Sequence, residues 1–228
     1  MKGTVRCVPA PPVPPPTPVA LHTADGVELA GDLSSPAAPR AAAIICHPHP
    51  QYGGNRFDHV VGALFAALPQ AGVAALRFDF RHRYGGGVDE VLDADAAIAE
   101  LRRRVRGVPI VAAGYSFGAM VVLAVEPTGL AGKILVAPPL TAMRALTAMR
   151  TGTADAVPGT PTLVLAAEHD QFTPASAAAP IVAAWPRAEL VPIAMADHFL
   201  HGRTGIAADA AVAWTDELLG ATEGSADG

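Results

Sequence analysis

Three residues of this chain, Ser116, Asp170 and His198, have the types and the order needed for nucleophilic acyl transfer. Gly114-Tyr115-Ser116-Phe117-Gly118 is a G-x-S-x-G run between an apolar stretch, Pro109–Tyr115, and a helical pattern, Phe117–Val125. A serine there must sit on a tight, strained turn that lifts its Oγ above a sheet. Side chains two residues before and two after it would collide, hence glycine at both positions. The helix that follows aims its free N–H groups at the nucleophile and favours negative charge there. A hydroxyl attacks poorly until a base takes its proton. His198, in Ala196-Asp197-His198-Phe199 just past the last apolar strand, is the candidate base. His201, nearer the start of the last helix, reads as a cap or surface residue. The base needs a carboxylate to fix its tautomer. Asp170, in the loop after Pro161–Ala167, is the candidate, with Glu168 and Asp197 as alternatives. Glu168 is closer to the strand end, and the carboxylate of Asp197 should diverge from the neighbouring ring.

An oxyanion also needs two fixed N–H donors. One is the backbone N–H of Phe117. The other is expected from the loop after Ala41–Cys46, which runs His47-Pro48-His49-Pro50-Gln51-Tyr52-Gly53-Gly54-Asn55. Pro48 and Pro50 have no N–H. His49 is therefore the first candidate and Gln51 the second. His47 and His49 also spell H-x-H, but no cluster of carboxylate and histidine partners follows, so no metal is expected. Tyr52, Tyr115, Met143 and Phe199 are the expected substrate-contacting side chains. No cofactor is implied.

These residues require a scaffold, and the apolar pattern supplies one. Asp25-Gly26 marks a hairpin within Val19–Leu33. Strands are then expected at Ala41–Cys46, Val73–Phe80, Pro109–Tyr115, Lys133–Ala137, Pro161–Ala167 and Glu189–Ala194. Helices are expected at Asp58–Pro69 (with Asp58 as N-cap), Val88–Val105, Phe117–Val125, from Pro174 to about Ala184, and at Ile206–Leu219. Strands apolar almost throughout, separated by helices, predict a mostly parallel sheet covered on both faces. Ligands bind such sheets at the carboxyl ends of the strands, which is where each candidate residue falls.

The chain has 228 residues, 51% of them hydrophobic, with mean hydropathy +0.32 and net charge −5. Such a chain fits one α/β domain with a large core. The expected division is a Pro-rich disordered segment over 1–18, one domain over 19–219 and a disordered tail over 220–228. Arg102, Arg103, Arg104 and Arg106 read as a solvated helix face, so no nucleic-acid partner is expected. The first residues lack a secretory apolar region, and no stretch is long and apolar enough for a membrane span. Cys7 and Cys46 are not expected to pair. The expectation is a cytoplasmic protein with a small-molecule substrate and no membrane partner.

HPHPQYGGN, LRFDFR, GYSFGA, AEHDQFTP and ADHFLHG together resemble a family of small bacterial α/β-hydrolases with few insertions, a lidless serine hydrolase subgroup. The resemblance covers about residues 20–219, and Ser…Asp…His is the chain order of that fold. It implies Ser116, Asp170 and His198 as the triad and the His49 N–H as the second oxyanion donor. It implies hydrolysis without naming a substrate. The chain departs from the family at Arg81–Gly87, short and basic where a longer loop is usual.

The leading functional expectation is a carboxylesterase that hydrolyses a small ester through an acyl-enzyme. A thioesterase or amidase with the same triad is the enzymatic alternative, and a non-catalytic binding module is the alternative from another class. The gap Pro138–Thr160 holds one expected short helix, Leu140–Arg150, with Met143, Leu146 and Met149 at helical spacing. That is too little chain for a lid, so an open site taking short acyl groups is expected.

Overall fold

A computed structural model describes residues 13–126, 128–141 and 159–223. Along the chain these form β1 (Thr17–His22), β2 (Glu28–Ser34), β3 (Ala41–Cys46), α1 (His59–Gln70), β4 (Val73–Phe78), α2 (Asp89–Arg104) and β5 (Ile110–Tyr115). There follow α3 (Phe117–Ala124), β6 (Gly132–Val136), β7 (Thr162–Ala167), α4 (Ala175–Val182), β8 (Ala188–Ile193) and α5 (Thr204–Glu223). The strands form one eight-stranded sheet in the order β1-β2-β4-β3-β5-β6-β7-β8. Strand β2 runs antiparallel to both neighbours, and all other pairs are parallel. This is the α/β-hydrolase fold.

The apolar strands follow from having both faces covered. In β3, Ala42, Ile44 and Cys46 join the core shared with α2 and α3, while Ala41, Ala43 and Ile45 join the core under α1 and α5. Helix α1 forms where its stripe predicts: Val60, Val61, Leu64, Phe65 and Leu68 are buried, and the Asp58 side chain accepts from the Val60 N–H. In α2, Asp89 and Glu90 open the helix and Arg102–Arg104 close it, complementing its dipole. Arg103 and Arg104 pair with Glu100 on the exposed face. After β3 the chain turns to β4 on one side and later crosses to β5 on the other. The carboxyl ends of β3 and β5 are thus a topological switch point, where doubly wound sheets open a crevice.

The expected boundaries need correction at both ends. Thr17 and Pro18 belong to β1, paired with Leu33 and Asp32. Proline is tolerated there because β1 is an edge strand with one side unpaired. Helix α5 runs on to Glu223, past the expected end at Leu219. Most of the expected helix Leu140–Arg150, including Met143, Leu146 and Met149, lies outside the described residues. So does Cys7, while Cys46 is a buried free thiol. No helix among the described residues is long and apolar enough to cross a membrane.

Candidate active site

Ser116 follows β5 and is the N-cap of α3 with φ 53° and ψ −114°, a conformation that costs a non-glycine residue energy. Its N–H donates to the Val136 carbonyl at 2.9 Å, which ties the turn to β6. Glycine is required on both sides. A Cβ on Gly114 would sit 2.3 Å from the Gly118 carbonyl oxygen, and one on Gly118 would sit 2.3 Å from the Cys46 carbonyl oxygen. Gly114 therefore lets β5 press against the start of α3, and Gly118 lets the end of β3 do the same. That contact places the His47–Gly54 loop beside Ser116.

Ser116 Oγ lies 2.8 Å from His198 Nε2, and His198 Nδ1 lies 2.8 Å from Asp170 Oδ2. The other carboxylate oxygen accepts from the Phe172 N–H at 2.7 Å and the Thr173 N–H at 3.2 Å. Asp170 and His198 are each 4% exposed. With Nδ1 donating to Asp170, Nε2 is left to accept from the serine hydroxyl, the tautomer a base needs. The alternative carboxylates are engaged elsewhere. Glu168 accepts from the Met195 N–H, and Asp197 accepts from the Phe199 N–H. His201 stacks on His59 at 5.3 Å on the exposed surface, as a surface residue should.

The two oxyanion candidates also separate. The Gln51 N–H donates to His49 Nδ1 at 3.2 Å and is occupied. The N–H groups of His49 and Phe117 donate to no described residue, and the two rings are 4.8 Å apart. Partial burial lowers the His49 pKa, which favours the neutral ring that accepts from Gln51. His47 is unsuited to a metal. Its Nε2 accepts from the Phe80 N–H at 3.0 Å, and its Nδ1 therefore donates to the Pro48 carbonyl at 2.6 Å. Both ring nitrogens are taken, and burial lowers its pKa, which favours the neutral ring.

The expected substrate-contacting residues fare differently. Tyr52 is 87% exposed and packs on His49, and Phe199 is 47% exposed beside His198. Met143 lies outside the described residues. Tyr115 is a correction: it is buried beneath the site, and its hydroxyl donates to the His198 carbonyl at 2.9 Å. Strand parity explains this, since Val111, Ala113 and Tyr115 share the face under α1 and α5. Burial raises the Tyr115 pKa well above the usual phenol range, so the group remains a donor.

Sequence reasoning missed Phe172, whose ring meets the His198 ring edge-on at 4.6 Å. It also missed Tyr84, which packs on His49 and Phe117. A hollow of about 280 Å³ is bounded by Tyr84 together with Gln51, Phe80 and His82, but not by Ser116 or His198. The loop Arg81–Gly87 is less basic than it reads. The guanidinium of Arg81 is buried on Asp93 and Asp25. Buried Glu90 accepts from the Gly85 and Gly87 N–H groups at 2.7 and 2.8 Å.

Residues 93–205 match the serine hydrolase family model, a span that includes Ser116, Asp170 and His198. An α/β serine hydrolase homologue from Coxiella burnetii superposes with a TM-score of 0.74 at 29% identity, covering 86% of this chain and 95% of that one. A Xanthomonas campestris protein described as an α/β serine hydrolase without a lid gives 0.74 at 24% identity, covering 88% and 94%. An esterase of Pyrococcus furiosus gives 0.74 at 17% identity, covering 89% and 92%. These last two show the shared fold alone. An uncharacterized protein of Rickettsia prowazekii is 35% identical over 97 residues, which is 40% of each chain.

Proposed function

We propose that this chain, which has the α/β-hydrolase fold, is a serine hydrolase that cleaves a small carboxylic ester through an acyl-enzyme on Ser116. His198 takes the Ser116 proton as Oγ attacks the ester carbonyl. Asp170 holds the ring and stabilises the imidazolium that forms. The negative oxygen of the tetrahedral intermediate is received by the N–H groups of Phe117 and His49, close to the positive end of α3. His198 then passes its proton to the departing alcohol oxygen. Water, activated by the same ring, releases the acid. The β6–β7 connection, residues 137–161, is too short to fold into a lid domain of its own, which favours a short acyl group.

The observation that carries this reading is the unbroken pair of 2.8 Å contacts from Ser116 Oγ through His198 to Asp170. The test is turnover of p-nitrophenyl acetate by the wild type and Ser116→Ala. The expected result is a loss of about 10³-fold or more with an unchanged circular dichroism spectrum. Wild-type turnover in the variant would overturn the assignment.

A further inference from the structure

We propose that the leaving-group side of this site receives an aryl or arylmethyl alcohol, packed against Phe172 and Phe199. The inference rests on the serine hydrolase reading. In acylation the Oγ–carbonyl carbon bond forms and the bond from that carbon to the alcohol oxygen breaks. The proton removed from Oγ travels on His198 Nε2 to the departing oxygen. That oxygen must therefore come within hydrogen-bond reach of Nε2. Whatever group it carries must then lie over the side chains that surround the imidazole.

Two of those side chains are exposed phenylalanines. Phe172 meets the imidazole at 4.6 Å and 68°, and Phe199 meets it at 5.7 Å and 82°. They are 54% and 47% exposed, in a chain only 5% aromatic. Their outward placement is built. The Phe172 N–H donates to Asp170 two residues earlier, and the Phe199 N–H donates to Asp197 two residues earlier. Each aspartate closes a side-chain turn that fixes the backbone of its phenylalanine. One of these turns also orients the carboxylate that holds His198. Two exposed rings against the imidazole, each on a fixed backbone, suit a planar aromatic group, which can meet them edge-to-face or offset. Glu168 and Asp197 lie in the same two loops and disfavour an anionic alcohol.

The test compares kcat/KM for benzyl acetate and cyclohexylmethyl acetate, which share an acyl group and are close in leaving-group size. The wild type is expected to favour the benzyl ester by about three- to thirtyfold. In Phe172→Leu and Phe199→Leu that ratio should fall, and in the double variant it should approach one. The ratio is read because it is insensitive to a general loss of rate through altered packing on His198. A wild-type ratio near one, or a ratio unmoved in the double variant, would overturn the aromatic subsite while leaving the hydrolase reading intact. Hydrolysis of both acetates at the wild-type rate by Ser116→Ala would instead show that the underlying reading had failed.

Discussion

On one side of Ser116 stand Asp170 and His198, each 4% exposed and held by side-chain hydrogen bonds at 2.8 Å. On the other side stands the His47–Gly54 loop, where Tyr52 is 87% exposed and the proposed contribution is a backbone N–H. The first side depends on which side chains are present. The second depends on the path of the chain: Pro48 and Pro50 have no N–H to offer, Gln51 is occupied, and the backbone donor of His49 is left free. A substitution should therefore have opposite meanings on the two sides. Changing side-chain chemistry should disable the first, and only removing an N–H should disable the second.

The largest expected effect is on the acid side. Asp170→Asn should lower kcat by about 10²–10⁴-fold, while Glu168→Gln and Asp197→Asn should stay within a few-fold. If Glu168→Gln were the more damaging, the carboxylate assignment would be wrong. Next comes the loop. His49 has φ −57°, which a proline ring accepts. His49→Pro should lower kcat by about 10²–10³-fold, and His49→Ala, which keeps the N–H, should cost far less. Equal losses in the two variants would mean that the ring, not the backbone, matters there.

A smaller effect is expected beneath the acid side. Tyr115→Phe removes the hydroxyl that holds the His198 carbonyl, and kcat should fall about three- to tenfold with KM little changed. A change in KM alone would return Tyr115 to the substrate. The smallest effect lies in the shared scaffold and should leave both sides untouched. Lys133 on β6 is buried with its ammonium donating to the Leu123 and Val125 carbonyls, and burial pushes its pKa down from 10.5 to about 8. Between those values the unfolded chain holds a proton that the folded chain has released. Stability should therefore rise as pH climbs through this window, and the charging cost should be fully present below it. Lys133→Met should flatten that slope in denaturant titrations at pH 8 and 10. An unchanged slope would assign it to other groups.

The acid–base side was legible in the sequence because its chemistry demands particular residue types at strand ends. Glycines bracket Ser116 since backbone from β3 and α3 fills the space a Cβ would need. The strands were legible because burial on both faces forces continuous apolar runs. Tyr115 was misplaced although the signal existed: counting by twos from Val111 puts it on the face under α1 and α5. The loop Arg81–Gly87 was misjudged for a different reason. The partners of Arg81, Asp25 and Asp93, lie 56 and 12 residues away, and no local pattern announces such a pairing. Phe172 was within reach, since it follows Asp170 by two residues in the loop whose carboxylate holds His198.

Covalent labelling shows whether Ser116 is a nucleophile activated by His198. The protein is treated with a fluorophosphonate and digested, and the modified residue is located by mass spectrometry. One adduct is expected, on Ser116, absent in Ser116→Ala and formed far more slowly in Asp170→Asn. A folded protein that takes up no label, or takes it up at another residue with Ser116 unmodified, would contradict that role of Ser116.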